Sequence, residues 1–167
     1  MIFVCAMTMA QTNAYPLLPM PQNYKVTDKS FAMGKVKLST PVLKSEWEAF
    51  IVNAGGELAD KAAAEIKVEL LPVIDGVKLN PDEAYRLSVS GKLIKIEAVT
   101  ERGVYWALQT LRQLEKKKGK KSLFAGCEIV DWPAFRIRGF MQDVGRSYIS
   151  VEGLKREIEI LSRFKIN

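Results

Sequence analysis

The sequence predicts an α+β fold, an antiparallel sheet carrying two helices on one face, followed by a strand, a loop and a third helix. Three observations carry this. Residues 85–98 alternate apolar and polar side chains on either side of Gly91-Lys92, the pattern of a β-hairpin. Residues 45–53 and 100–114 each place apolar side chains at helical spacing, so each has one face to bury. The stretch from residue 137 onward passes from an apolar run through a short loop into an amphipathic helix.

Taken in order, residues 1–14 read as the end of a secretory signal peptide and its leader. Met1 to Ala10 is an apolar run with small residues ahead of Gln11, without a basic n-region, and cleavage is expected near Ala10. Export to the periplasm or the exterior follows as an expectation. Lipoprotein attachment at Cys5 is the lesser alternative, because Phe3 and Val4 stand where such a site wants a small residue.

Residues 15–130 form the first domain. Pro16, Pro19 and Pro21 make residues 15–22 an extended surface lead-in. Residues 24–26 and 35–38 are short strands around Gly34. Ser45 and Glu46 open a helix with Trp47, Phe50 and Ile51 inward, and Asn53 with Gly55-Gly56 ends it. In the strand at 64–71, Ile66, Val68 and Leu70 share one face and Lys67 and Glu69 the other. In the hairpin, Tyr85, Leu87 and Val89 oppose Ile94, Ile96 and Ala98. Thr100 caps the next helix, whose stripe is Val104, Ala107, Leu108, Leu111 and Leu114. The basic run Lys116 to Lys121 is expected to be that helix's C-terminus and a solvated loop, where lysines complement the dipole and Gly119 terminates. A last strand spans residues 123–130.

Bulk properties exclude several classes. An apolar share of 48% with 26% charged residues suits a soluble globular chain of 167 residues and leaves no membrane span. The net charge of +6 comes from basic residues interleaved with acidic ones, so no nucleic-acid partner is expected. Histidine is absent, which removes Ser-His-Asp and Cys-His nucleophiles and the common His-based zinc sites. Cys5 and Cys127 cannot make a disulfide framework, and Cys127 is expected to be a small buried apolar side chain.

After Pro133, residues 137–144 read as a short, largely buried strand with Gly139 marking close packing. Ser150 caps a helix whose apolar stripe is Val151, Leu154, Ile158, Leu161 and Phe164. Lys165-Ile166-Asn167 looks like the approach to another strand. The phrase Asp131-x-Pro133-x-Phe135-x-x-Arg138-Gly139-x-Met141-x-Asp143-x-x-Arg146, then the helix, then Phe164-Lys165-Ile166-Asn167, resembles the segment that opens the catalytic barrel of family 20 glycoside hydrolases, the β-N-acetylhexosaminidases. Residues 83–87, the hairpin, and Gly103 to Gln109-Thr110-Leu111 are similar to that family's accessory domain.

The resemblance implies that residues 131–167 are the first β/α unit of a truncated (β/α)8 TIM barrel. It implies an exo-enzyme that removes terminal N-acetylglucosamine or N-acetylgalactosamine from glycans by substrate-assisted retention. The 2-acetamido oxygen attacks the anomeric carbon, a Glu serves as acid and then base, and a neighbouring Asp orients the acetamido group. No metal or cofactor is implied, and the partners are a glycan and the remainder of the barrel. That Asp-Glu pair lies farther along the barrel than residue 167, so this stretch by itself is expected to be inactive. A related enzyme such as a biosidase, or a non-catalytic binding or scaffolding module, stays open as an alternative.

Barrel active sites gather at the C-terminal ends of the strands. Arg146 follows the expected strand, and its guanidinium fork suits two adjacent sugar hydroxyls. The family's matching arginine binds the outer hydroxyls of the nonreducing sugar. Asp143 either holds Arg146 or joins a buried network inside the barrel. Ser147 stands where many family members have His. Arg138-Gly139 is expected to serve packing and a salt bridge, and Trp106 and Trp132 to serve the core rather than stack on sugars.

Overall fold

The computed structural model describes residues 16–167, so the expected signal peptide lies outside the described residues. The elements are β1 (Asn23–Val26), β2 (Phe31–Ala32), β3 (Lys35–Ser39), α1 (Lys44–Asn53), β4 (Glu57–Leu58), β5 (Ala64–Leu70), β6 (Tyr85–Ser90), β7 (Leu93–Ala98), α2 (Glu101–Gln113), β8 (Glu115–Lys118), β9 (Lys121–Phe124), β10 (Cys127–Asp131) and α3 (Val151–Arg163). A short 3-10 turn, Pro81–Glu83, precedes β6.

Seven strands form one sheet in the order β1-β10-β6-β7-β5-β3-β4, and β2-β9-β8 form a second, small sheet. The large sheet is mixed, which corrects the antiparallel expectation: β5 pairs parallel with both β3 and β7. The reason lies in the connections. Between β3 and β5 the chain crosses over through α1, and a helical crossover returns a strand in parallel. The β6–β7 hairpin then folds back so that β7 slots between β6 and β5. Alternating hydropathy reports a half-buried strand whatever its direction, so it was silent here.

Both helices cover one face of the large sheet. Trp47, Phe50 and Ile51 of α1 and Val104, Ala107, Leu108 and Leu111 of α2 join Ile66, Val68, Leu87, Val89, Ile94 and Ile96 in a single core. Burying each of the larger aliphatic side chains stabilises the fold by about 1.5–3 kcal/mol. The expected outliers are few. Leu70 faces solvent at the end of β5, and Leu17, assigned to a surface lead-in, is buried in the core. The lead-in is fastened by Gln113, whose amide donates to Leu18 O at 2.7 Å and accepts from Leu18 N at 2.8 Å.

The opposite face of the sheet carries charge. Lys95 reaches Glu97 at 2.6 Å and Glu69 at 3.1 Å, Lys67 reaches Glu69 at 2.7 Å, and Arg86 reaches Glu97 at 3.1 Å. Glu69 and Glu97 sit directly opposite each other in register, and the diagonal lysines offset that repulsion.

The basic run is not a helix terminus. Helix α2 stops at Gln113, and Glu115 to Phe124 form the β8–β9 hairpin, turning at Gly119 with φ 63°. All the side chains of β8 are polar, so no hydropathy marked it. Backbone bonds and one core side chain hold it: Met33 N donates to Ser122 O, Ser122 N donates to Ala54 O, and the buried Phe124 ring packs against Phe31 and Phe50, so the hairpin lies against the end of α1. Gly55 permits this, since a Cβ there would lie 2.0 Å from Lys120 O. The single strand expected at 123–130 is likewise split at Ala125-Gly126, where the chain passes from the small sheet to the large one.

The expected buried strand at 137–144 is also corrected. These residues form no strand, and Ile137 and Met141 are 84% and 92% exposed. A strand needs a ladder partner, and the one backbone-to-backbone bond that residues 137–144 make to another described residue is Asn167 N donating to Arg138 O at 2.9 Å. Helix α3 forms as expected, with Ser150 Oγ accepting from Gly153 N at 3.1 Å, but none of its residues is fully buried.

Candidate functional site

Asp143 and Arg146 lie in the loop between the extended segment and α3. Asp143 Oδ1 accepts from Gly145 N at 2.8 Å and from Arg146 N at 3.2 Å, while Oδ2 accepts from Arg146 Nε. The Arg146 side-chain bond, then the two backbone bonds, hold the Asp143 carboxyl below the usual carboxylate range. Among the described residues the Asp143 carboxylate therefore touches Arg146 and Gly145 and joins no buried network. The Arg146 side chain is 90% exposed, and its two terminal nitrogens make no hydrogen bond among the described residues. A carboxylate gripping Nε fixes the plane of a guanidinium and leaves its outer fork free to donate in pairs.

Earlier in the same segment, at Arg138, is a buried junction that the sequence did not reveal. Glu83, in the turn before β6, is 4% exposed and uses both carboxylate oxygens. Its Oε2 accepts from Trp106 Nε1 at 2.7 Å and from Arg138 Nη2, and its Oε1 accepts from Asn167 Nδ2 at 3.4 Å. The Arg138 guanidinium lies 5.5 Å from the Trp106 ring centroid and donates to Phe135 O at 2.8 Å and Lys165 O at 2.6 Å. Trp106 thus serves the junction, with its indole N–H spent on Glu83.

A second buried pair lies beside the first. Lys165 Nζ reaches Asp131 Oδ2 at 2.7 Å and the Tyr85 hydroxyl at 2.8 Å, and Tyr85 in turn contacts Thr110 Oγ1 at 2.6 Å and Asp131 Oδ2 at 3.0 Å. Burial pushes the Lys165 ammonium down, against the pull of Asp131. Burial and then the Asp131 charge push the Tyr85 phenol well up. Lys165 holds a left-handed backbone, φ 60°, which these contacts enforce. A cavity of about 270 Å³ adjoins both pairs, walled by Trp106, Trp132, Pro133 and Phe135.

Sequence reasoning placed Asp131, Arg138 and Lys165 in a recognisable phrase but had no means of pairing them. Glu83 stands in the sequence only as the first residue of the phrase 83–87 ahead of the hairpin. Its one signal was a charged residue directly ahead of an apolar strand.

None of these groups forms a metal centre: among the described residues no three His, Cys, Asp or Glu side chains come together as metal ligands would. Nor is any described helix long and apolar enough to cross a membrane.

Comparisons with known proteins agree with one another. Residues 14–132 match the family described as glycosyl hydrolase family 20, domain 2. A beta-hexosaminidase of Porphyromonas gingivalis is 29% identical across 90% of this chain and 21% of its own length. One of Vibrio furnissii is 35% identical across 65% of this chain and 17% of its own. Among solved structures, the GH20 exo beta-N-acetylglucosaminidase of Vibrio harveyi in complex with N-acetylglucosamine superposes with a TM-score of 0.74. It is 32% identical over 92% of this chain and 24% of that one. The beta-N-acetylhexosaminidase of Bacteroides fragilis shares the fold, with a TM-score of 0.73. The chain spans about a fifth of the length of the curated relatives it matches.

Proposed function

The chain belongs to glycosyl hydrolase family 20, and from that premise we propose that the full-length gene product is an exo-acting β-N-acetylhexosaminidase releasing terminal N-acetylglucosamine or N-acetylgalactosamine from glycans. The observation that carries this is the continuous similarity, in sequence and in fold, to the Vibrio harveyi exo-enzyme across 92% of the chain.

In this proposal the accessory domain expected at residues 15–130 extends to Asp131, the last residue of β10, and the segment after it begins a (β/α)8 barrel that requires roughly 250 residues to close. The exposed apolar residues of 135–148 and of α3 face the rest of that barrel. Arg146 donates its outer fork to two hydroxyls of the nonreducing sugar, and Asp143 holds the guanidinium plane. The chemistry is substrate-assisted: the substrate's own acetamido oxygen displaces the leaving group, and a Glu acts as general acid and base. Both the Glu and its Asp neighbour belong to the barrel beyond residue 167, so residues 1–167 alone turn over no substrate. Export belongs to the same proposal, on the strength of the apolar run ending at Ala10.

The test compares two aryl glycosides, one of β-N-acetylglucosamine and one of β-glucose, with the full-length gene product. Turnover of the first alone is expected, since only it carries the internal nucleophile. Equal turnover of both would refute the mechanism. Turnover of neither, with release of a disaccharide from a longer glycan, would favour a biosidase.

A further inference from the structure

The two buried ion pairs share an arrangement. In each, the carboxylate belongs to the accessory domain, Glu83 from the turn before β6 and Asp131 from the end of β10. In each, the cation belongs to the segment that follows, Arg138 before the Arg146 loop and Lys165 after α3. The segment that carries the Arg146 loop and α3 is thus fastened at both of its ends. Arg138 alone ties Phe135 O, Lys165 O and Glu83 together, and Asn167 closes the clasp by pairing with Arg138 and Arg136 backbone.

We infer that Glu83 is a positioning residue for the sugar subsite: through Arg138 and Asn167 it fixes the root of the segment that presents Arg146. The inference rests on the reading of Arg146 as a substrate contact. Three features support it. Glu83 is buried with both oxygens engaged, so its carboxylate has one available geometry. Trp106 Nε1 aims it from α2. The approach of α2 to Glu83 depends on Gly103, where a Cβ would stand 2.3 Å from Ala84 O. A buried pair of this kind adds little net stability compared with apolar residues of the same shape. What it adds is a unique geometry, and an ångström of misplacement at a binding group is costly.

The experiment is a double-mutant cycle in the full-length gene product, reading kcat and KM on an aryl N-acetyl-β-glucosaminide. Glu83→Gln keeps shape and an acceptor for Trp106 but sets an amide N–H against the Arg138 fork. It is expected to lower kcat/KM about 10- to 100-fold and to have no further effect in the Arg146→Ala background. Losses that multiply in both backgrounds, or no loss from Glu83→Gln, would overturn the inference. Arg138→Lys, which keeps the charge and loses the fork, follows the same cycle if Glu83→Gln fails to accumulate. Hydrogen exchange of the same proteins is read in parallel and does not depend on turnover. Amides of residues 136–146 should exchange faster in Glu83→Gln while those of β6 and β7 stay protected. Unchanged protection at 136–146 overturns the clamp even if the wild type proves inactive, a result that would count separately against the proposed function.

Discussion

Gly103 shows two residue-level effects of opposite sign whose magnitudes decide the outcome. Replacing a helical glycine with alanine usually stabilises by about 1 kcal/mol. Here the new methyl would stand 2.3 Å from a backbone carbonyl that cannot step aside without moving the Glu83 turn. Overpacking of that kind costs about 1–3 kcal/mol, so Gly103→Ala is expected to lower the denaturation midpoint. An unchanged or raised midpoint would contradict the packing described. Cys127 offers a chemical probe of the same core. It is fully buried in β10, and burial pushes its thiol up to about 12. Because the thiolate is the reactive form, the peptide containing Cys127 should resist iodoacetamide at pH 8 in the folded protein and react completely in denaturant. Ready labelling of the folded protein would mean that β10 opens.

At the scale of elements, the charged face of the sheet sets a pH response. Hydrogen bonds from Lys67 and then Lys95 lower the Glu69 carboxyl. Burial pushes Glu97 up, but the bonds from Lys95 and Arg86 outweigh it, so it too lies below its ordinary value. A carboxyl lowered in the folded state adds stability that is present above the unfolded value and is lost as pH falls through the folded one. The urea midpoint should therefore hold down to about pH 4.5 and fall below it, with a shallower fall in Glu97→Gln. Identical pH profiles for the two proteins would show that the ladder contributes nothing. The same elements mark how far the sequence could be read. The β6–β7 hairpin, α2 and α3 were legible because each buries or presents a regular apolar stripe. The β8–β9 hairpin was not, since its β8 side chains are all polar and it is seated by backbone bonds to Met33 and Ala54 and by the single core ring of Phe124. Strand direction was equally hidden, because it follows from the α1 crossover and from where β7 inserts.

Over the whole molecule, a domain with a closed core, ending at β10, carries a segment whose apolar residues remain open. Ile137, Met141, Val151 and Ile158 are all exposed, although the expected strand and the helical stripe mark them for burial. The sequence reading of residues 137–144 as a buried strand misplaced this segment because a strand is a property of its neighbours as much as of itself. The motif around Arg146 was legible as a phrase. The buried junction was not, since Glu83 and Arg138 stand 55 residues apart and meet only in the fold. The most direct measurement is therefore kcat/KM of the full-length gene product on an aryl N-acetyl-β-glucosaminide, for wild type and Arg146→Ala. The account predicts turnover by the wild type and a loss of at least about 100-fold in the variant, roughly 2.7 kcal/mol of transition-state stabilisation. Wild-type turnover that survives the substitution would remove Arg146 from the sugar subsite, and no turnover on any aryl N-acetylhexosaminide would contradict the exo-acting hexosaminidase.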